Sequence, residues 1–228
     1  MHRAGVHPGS SPAWRITDRV EIRRLQRADV EGVVALQRAC FPPPFPEELL
    51  WKREHIERHL DVFPEGQFVA VLEDQVIGSA TALIISEENY KAHHDWQTTV
   101  GGHFLECHDP NGTTLYGVDI SVHPDCRGIG VGRQLYEARL HLVRERQLRR
   151  YATACRIPDF SIWWDMHPRV EEVTDALNAY CREVVAGTAN DRTLTPLLRY
   201  GLKFVAVIEN HMEDEESANA AALLEWKP

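Results

Sequence analysis

Apolar positions recur along the chain with two periods, and the switches between them mark out short strands and amphipathic helices. Val20 to Leu25 alternates as a strand, and Asp29 caps a helix whose Val30, Val33, Val34, Leu36 and Ala39 fall at helical spacing. Phe41-Pro-Pro-Pro-Phe-Pro46 forbids regular structure, and Glu47 to Leu60 is predicted as a second helix, amphipathic through Leu50, Trp51, Ile56 and Leu60. Gln67 to Leu72 and Val76 to Ile85 form a hairpin around Glu73-Asp74-Gln75; both runs are nearly continuous in apolar residues, as strands covered on both faces are. Residues 86 to 114 are a polar, histidine-rich excursion that ends in the turn signal Asp109-Pro-Asn-Gly112. A strand over 115 to 123 runs into a helix over about 130 to 146, and Tyr151 to Cys155 is a strand after the basic pair Arg149-Arg150, which suits a helix C-terminus. Helices over Pro168 to Val185 and Arg192 to Tyr200 follow, the second stopped by Gly201, and Leu202 to Glu209 and Ala220 to Trp226 close the chain as strands.

The segment that joins the 115 to 123 strand to its helix carries the chemistry. It reads Val122-His-Pro-Asp-Cys-Arg-Gly-Ile-Gly-Val-Gly-Arg133, and glycines at 128, 130 and 132 let backbone N–H groups crowd together at a helix N-terminus, where a phosphate is attracted. A Walker loop would close with Gly-Lys-Ser/Thr, but Arg133-Gln134 follows Gly132. A dinucleotide fingerprint needs G-x-G-x-x-G and a later acidic residue, whereas this turn is G-x-G-x-G and the matching stretch downstream is Leu148-Arg-Arg-Tyr151. What remains, Arg127-x-x-Gly130-x-Gly132 behind Val122-x-Pro124, resembles the acetyl-CoA signature of the GNAT-type N-acetyltransferase superfamily. A glycine-rich turn without a ligand is the structural alternative.

That resemblance spans about residues 16 to 227 and implies an α/β fold: a central mixed, mostly antiparallel sheet with helices on both faces, in which the signature strand and the Tyr151 to Cys155 strand splay apart. It implies acetyl-CoA as co-substrate in the slot, without a metal. The backbone of Ile120, Ser121 and Val122 would then bind pantetheine, and the N–H groups of Arg127, Gly128, Ile129, Gly130, Val131, Gly132 and Arg133 the pyrophosphate. A strand bulge near Ser121 would free a backbone N–H for the thioester oxyanion. Leu115-Tyr-Gly-Val-Asp-Ile-Ser-Val-His123, Ala154-Cys-Arg-Ile-Pro158, Asp214-Glu-Glu-Ser217 and Leu223-Leu-Glu-Trp226 look like the acetyltransferase half of bifunctional proteins that carry a carbon–nitrogen hydrolase, a segment not expected in a chain ending at Pro228.

Transfer to an amine needs a base, because an alkyl amine of pKa about 10.4 is neutral in only ~1 molecule per 2,500 at pH 7, a cost of ~4.6 kcal/mol. Strict alternation puts Gly117, Asp119, Ser121 and His123 on one face and Val118, Ile120 and Val122 on the other. Asp119, mid-strand and desolvated, is the first candidate for base or amine-binding carboxylate; its alternative is a structural carboxylate satisfied by backbone or an arginine. His123 is the second, though a histidine next to Pro124 also suits a cap. Family members commonly place an acid tyrosine four residues before the Gly-aromatic pair that ends the fourth helix; here that position is Leu197, and Tyr200 points elsewhere.

Other clusters have bland readings. His55-x-x-x-His59 has metal-pair spacing but reads as a solvated helix face, and His93, His94, His103 and His108 read as exposed or cleft-lining. Glu87-Glu88 could attract a cationic acceptor or be solvated. Trp163-Trp164, Trp96, Phe41, Phe45 and Trp51 could wall an acceptor pocket or plug the core.

Composition sets the bounds. The 228 residues, 43% of them hydrophobic, suffice for one domain over 16 to 228 behind a disordered leader at 1 to 15. A net charge of -9 argues against nucleic acid or an anionic membrane as partner. Neither a signal peptide nor an apolar run of membrane length is visible, so a soluble cytoplasmic protein is expected, and the five unpaired cysteines read as reduced thiols. The function read from these features is acetyl transfer from acetyl-CoA to a primary amine of a small molecule or peptide, directly in a ternary complex. A CoA-binding regulatory module and a protein-lysine acetyltransferase are the alternatives, and a homodimer stays open.

Overall fold

The computed structural model describes residues 19–228 apart from 44, 46, 169 and 171, so the expected leader at 1 to 15 lies outside the described residues. Seven strands, β1 (Glu21–Arg24), β2 (Gln67–Leu72), β3 (Gln75–Ile85), β4 (Thr114–Val122), β5 (Arg150–Arg156), β6 (Lys203–Ile208) and β7 (Ala221–Trp226), form one sheet in the order β1-β2-β3-β4-β5-β7-β6. Every neighbouring pair is antiparallel except β4 and β5. The mixed, mostly antiparallel sheet expected from the sequence is therefore present. Glu73 and Asp74, both at positive φ, make the tight turn between β2 and β3.

Helices cover both faces. On the first face, α5 (Val131–Glu145), α6 (Phe160–Asp165), α7 (Val173–Ala186) and α8 (Leu194–Arg199) bury Leu135, Phe160, Leu177 and Leu194 in one core cluster with Ala80, Ile84 and Leu115 of the sheet. On the second face, α1 (Val30–Cys40) and α2 (Arg53–Val62) cover Val69 and Val71. The excursion at 86 to 114 also folds there. It contains α3 (Glu87–Ala92), capped by Ser86, and α4 (Trp96–Val100), capped by Asp95, and it buries Val100 and Leu105 over Leu83, Tyr116 and Leu223.

Three expected elements are shifted. The 47 to 60 helix is a 3-10 turn at Glu47–Leu49 and then α2, because Leu50 and Trp51 turn into the core and only residues after Lys52 resume the helix. The helix placed at Pro168 begins at Val173. Arg149 and Arg150 lie beyond the last turn of α5, which ends at Glu145; Arg150 is buried in β5 and pairs with Glu87 at 2.8 Å, so no helix dipole holds it.

Two irregularities interrupt β4. Opposite β3, Ala82 pairs with Gly117 and Thr81 with Asp119, so Val118 is an extra residue, a β-bulge. Opposite β5, the ladder runs only from Thr114–Arg150 to Gly117–Thr153, after which β5 continues along β7 as far as Arg156–Ala221. The two parallel strands thus part at residue 117, as expected.

The candidate active site

The glycine-rich turn sits at the end of β4. His123 caps the 3-10 turn Pro124–Cys126, its Nδ1 accepting the Asp125 N–H at 3.3 Å, and Arg127 Nε donates to the Val122 carbonyl at 3.2 Å. Gly128 (φ 79°) and Gly130 (φ 92°) hold left-handed backbone, and a Cβ at either would meet nothing within 4 Å. Backbone conformation, not crowding, therefore asks for glycine here. Gly130 is the N-cap of α5, a helix of 15 residues, so the N–H groups of its first turn have no partner within the helix and face out of an open cradle. Val131 is buried in the core and Arg133 pairs with Glu137 at 2.8 Å, which leaves the contribution of both to their backbone. An anion of phosphate type fits this cradle.

The slot begins where β4 and β5 part. Thr153 Oγ1 donates to the Gly117 carbonyl at 3.0 Å and closes the ladder. A Cβ at Gly117 would lie 2.1 Å from Tyr151 Oη, so glycine is what lets that phenol reach the bulge. Arg139 of α5, only 1% exposed, completes the corner: its guanidinium donates to Tyr151 Oη at 3.0 Å, to the Thr81 carbonyl at 2.7 Å and to the Asp119 carbonyl. The bulge expected near Ser121 lies elsewhere: Ser121 pairs regularly with Ser79, and the extra residue is Val118. The consequence is a change of parity. Gly117 shares the first face with Ile120 and Val122, while Tyr116 and Val118 stand on the second face with Asp119 and Ser121, so the strict alternation read from the sequence fails at 117 and 118.

Asp119 faces the α1 side of the slot. Its Oδ2 accepts from Gln37 Nε2 and Ser121 Oγ, both at 3.3 Å, and Gln37 also donates to Ser121 Oγ at 3.2 Å. Burial raises the pKa of the carboxyl, against the Arg139 charge and hydrogen bonds from Trp51, Ser121 and Gln37. Cys40 Sγ lies beside the same strand, 3.3 Å from the Val122 carbonyl, and desolvation pushes its thiol up. Asp119 thus meets side-chain donors, with an arginine only behind its own carbonyl.

The histidines of α2 are not solvated: His55 and His59 are buried, and His59 Nε2 meets the His103 carbonyl at 2.7 Å. Alternation of polar residues hid this, because Trp51 turns under the helix and packs edge-on against His59 at 4.6 Å and His103 at 5.7 Å. Desolvation lowers His59 to about 4. Glu87 is engaged by Arg150 and Thr113, its pKa lowered to about 2, mainly by the Arg150 hydrogen bond, and so is not free for an acceptor. Trp163 donates to Glu183 and Trp164 to the Val170 carbonyl, each at 3.0 Å, both beside Phe160 in the first-face core. Leu197 is buried, and Tyr200 packs on Tyr136 at 5.8 Å. Among the described residues no group of three or more His, Cys, Asp or Glu is arranged to hold a metal.

Gln37 and Arg139 are site residues that the sequence pattern did not single out, although a signal is present. Each is a polar residue on the apolar stripe of its helix, Gln37 with Val30 and Val33, Arg139 with Val131, Leu135, Leu142 and Val143. A polar side chain there must find partners inside.

Residues 30–161 match the profile of the acetyltransferase (GNAT) family. The chain is 36% identical over 222 residues to the uncharacterized N-acetyltransferase YkwB of Bacillus subtilis (strain 168), covering 97% of this chain and 92% of that one. It is 34% identical over 213 residues to the probable hydrolase YhcX of the same organism, covering 93% of this chain but 39% of that one. Among solved structures, the GphF GNAT-like decarboxylase in complex with isobutyryl-CoA superposes with a TM-score of 0.69 at 21% identity, over 91% of this chain and 98% of that one, which is a likeness of fold.

Proposed function

The chain belongs to the GNAT acetyltransferase family, and from that premise we propose that it moves an acetyl group from acetyl-CoA to a primary amine of a small molecule or peptide, directly within a ternary complex. One observation carries this reading: β4 parts from β5 at Gly117 and leads through the glycine turn to a helix N-terminus whose first-turn N–H groups have no partner within the helix, with a desolvated carboxylate, Asp119, on the side opposite α5. Acetyl-CoA, when bound, supplies the activated acyl group.

The residues divide the work. Backbone N–H groups from Gly128 to Arg133 hold the pyrophosphate, while the Arg127 N–H, expected among them, is taken by the Pro124 carbonyl at 3.3 Å; the backbone of Ile120 to Val122, unpaired on its β5 side, takes the pantetheine amides. Beyond the bulge at Val118, a backbone N–H of β4 on the side that β5 has left polarises the thioester carbonyl, the part expected near Ser121. Asp119 accepts the amine proton, with Gln37 and Ser121 fixing its carboxylate. His123, committed to its cap, orients the turn.

Release of CoA thiol from acetyl-CoA over a panel of amines, small molecules and short peptides, tests the proposal. Acceptor-dependent release that Asp119→Ala abolishes supports it. CoA binding without release for any acceptor would instead support a regulatory module, and modification of protein lysines alone a protein acetyltransferase.

A further inference from the structure

A cavity of about 390 Å³ opens on the second face between α1 and the segment that leads into α2. Glu31, Val34 and Arg38, spaced at helical intervals, line it from α1, and Glu47 and the stretch from Leu50 to Arg53 line it from the other side. Its floor is apolar, made of half-buried Val34 and buried Leu50 and Trp51, whereas its rim is charged and exposed. Three contacts connect that floor to Asp119. Trp51 packs in one cluster with Val34 and with Val118, the neighbour of Asp119 on β4. Gln37, one turn along α1 from Val34, donates to the Asp119 carboxylate at 3.3 Å. Trp51 is itself a hydrogen-bond donor to that carboxyl. Asp119 keeps part of its surface accessible.

The rim carries more positive than negative charge, Arg38, Lys52 and Arg53 against Glu31 and Glu47. Arg53 is engaged by Glu31 and, at 3.2 Å, by Glu57. Arg38 reaches Glu47 only at 4.0 Å, and Lys52 has no ion pair among the described residues. In a chain of net charge -9 this surplus is a local feature, and it favours an anion. A carboxylate lies at one end of the path past Trp51 and unneutralised cations at the other, a pattern that matches a molecule carrying both charges. We propose that the acceptor is an amine that also bears an anionic group, held by Arg38 and Lys52 at the cavity rim while the amine reaches past Trp51 to Asp119. The inference rests on the reading that Asp119 receives the acceptor amine, and it adds the chemistry of the acceptor's other end. Both cations are exposed, so the preference they create is graded and screened by salt.

Probes matched in length test this: ω-amino carboxylates and ω-amino phosphonates against the corresponding carboxamides, alkylamines and diamines, over a series of spacers. With the wild-type protein, kcat/KM for an acidic probe is expected to exceed that of its neutral counterpart by ~10-fold, through KM rather than kcat, and the advantage to shrink at high salt. Preference for either acid supports the inference, the better one naming the group. Arg38→Gln with Lys52→Gln should erase the difference, and Arg38→Glu with Lys52→Glu should invert it in favour of the diamines. CoA affinity should change little in both variants. A merely structural role for the two cations would slow every probe alike and invert nothing. Equal rates for acidic and neutral probes with wild type, or an unaltered order in the charge-reversed variant, would overturn this inference and leave the proposed function standing. Turnover of no amine at all, with CoA bound, would overturn both.

Discussion

Arg139 donates to the backbone carbonyl of Asp119 from the first face of the sheet, while the Asp119 carboxylate meets Gln37 and Ser121 on the second. One residue thereby joins the helix that starts at the glycine turn to the carboxylate of the slot.

Arg139→Met should separate those two ends. The variant removes a donor from each of the Thr81 and Asp119 carbonyls and from Tyr151 Oη, at a cost of ~2–4 kcal/mol in denaturant unfolding. It also removes the charge that holds the Asp119 pKa down. The acidic limb of the pH–rate profile, where the base gains its charge, should therefore move to higher pH, a shift that simple loosening of the core would not produce.

The raised pKa of Asp119 has opposite consequences for activity and stability. Activity, if the carboxylate is the base, rises as pH rises through the raised value. Stability moves the other way: below the ordinary value of 3.8 the group is neutral folded or unfolded, and between that value and the raised one the folded state binds more protons. Its contribution is thus fully present below 3.8 and lost as pH climbs through the folded pKa. Asp119→Asn should abolish that decline and the activity together, read by thermal melts and acetyl-transfer rates across pH.

Two buried histidines set acid sensitivity. Desolvation lowers both His59 and His211 to about 4 from an ordinary 6.5. Because the folded values are depressed, the stability involved is fully present above 6.5 and lost as pH falls toward 4, at most about 3 kcal/mol for each. His59→Gln, which keeps a donor for the His103 carbonyl, should flatten roughly half of that fall in melts between those limits.

Gly130→Ala tests the cradle by itself. A Cβ there meets no neighbour, so the expense is the left-handed φ of 92°, about 1 kcal/mol of stability. Relief of that strain would rotate the first-turn N–H groups of α5, and CoA affinity by calorimetry should fall more than stability does.

The sequence by itself determined the order of the strands and of the longer helices, the glycine turn and the family resemblance, because each rests on local rules: apolar periodicity, glycine where φ is positive and a glycine stop at Gly201. The short helices α3, α4 and α6 were not legible there, and the side chain of Asp29, expected to cap α1, accepts from Arg23 and the Gln26 N–H instead. The sequence also singled out Asp119 by its place in a covered strand. Tertiary structure alone decided which face each β4 residue presents. Strict alternation holds only for a regular ladder, and the bulge at Val118 arises from pairing with β3 and from Arg139 and Tyr151 beneath Gly117, contacts made across 20 or more positions of sequence. The same limit explains the buried histidines of α2 and the place of Gln37. Whether a polar side chain on a helix meets water or a partner depends on what packs against it, here Trp51 folding back under His59 and β4 bringing Asp119 and Ser121 to Gln37. The glycine turn, whose geometry is stored in consecutive residues, was therefore legible from the chain, while the slot beside it, assembled from β4, β5, α1 and α5, was not.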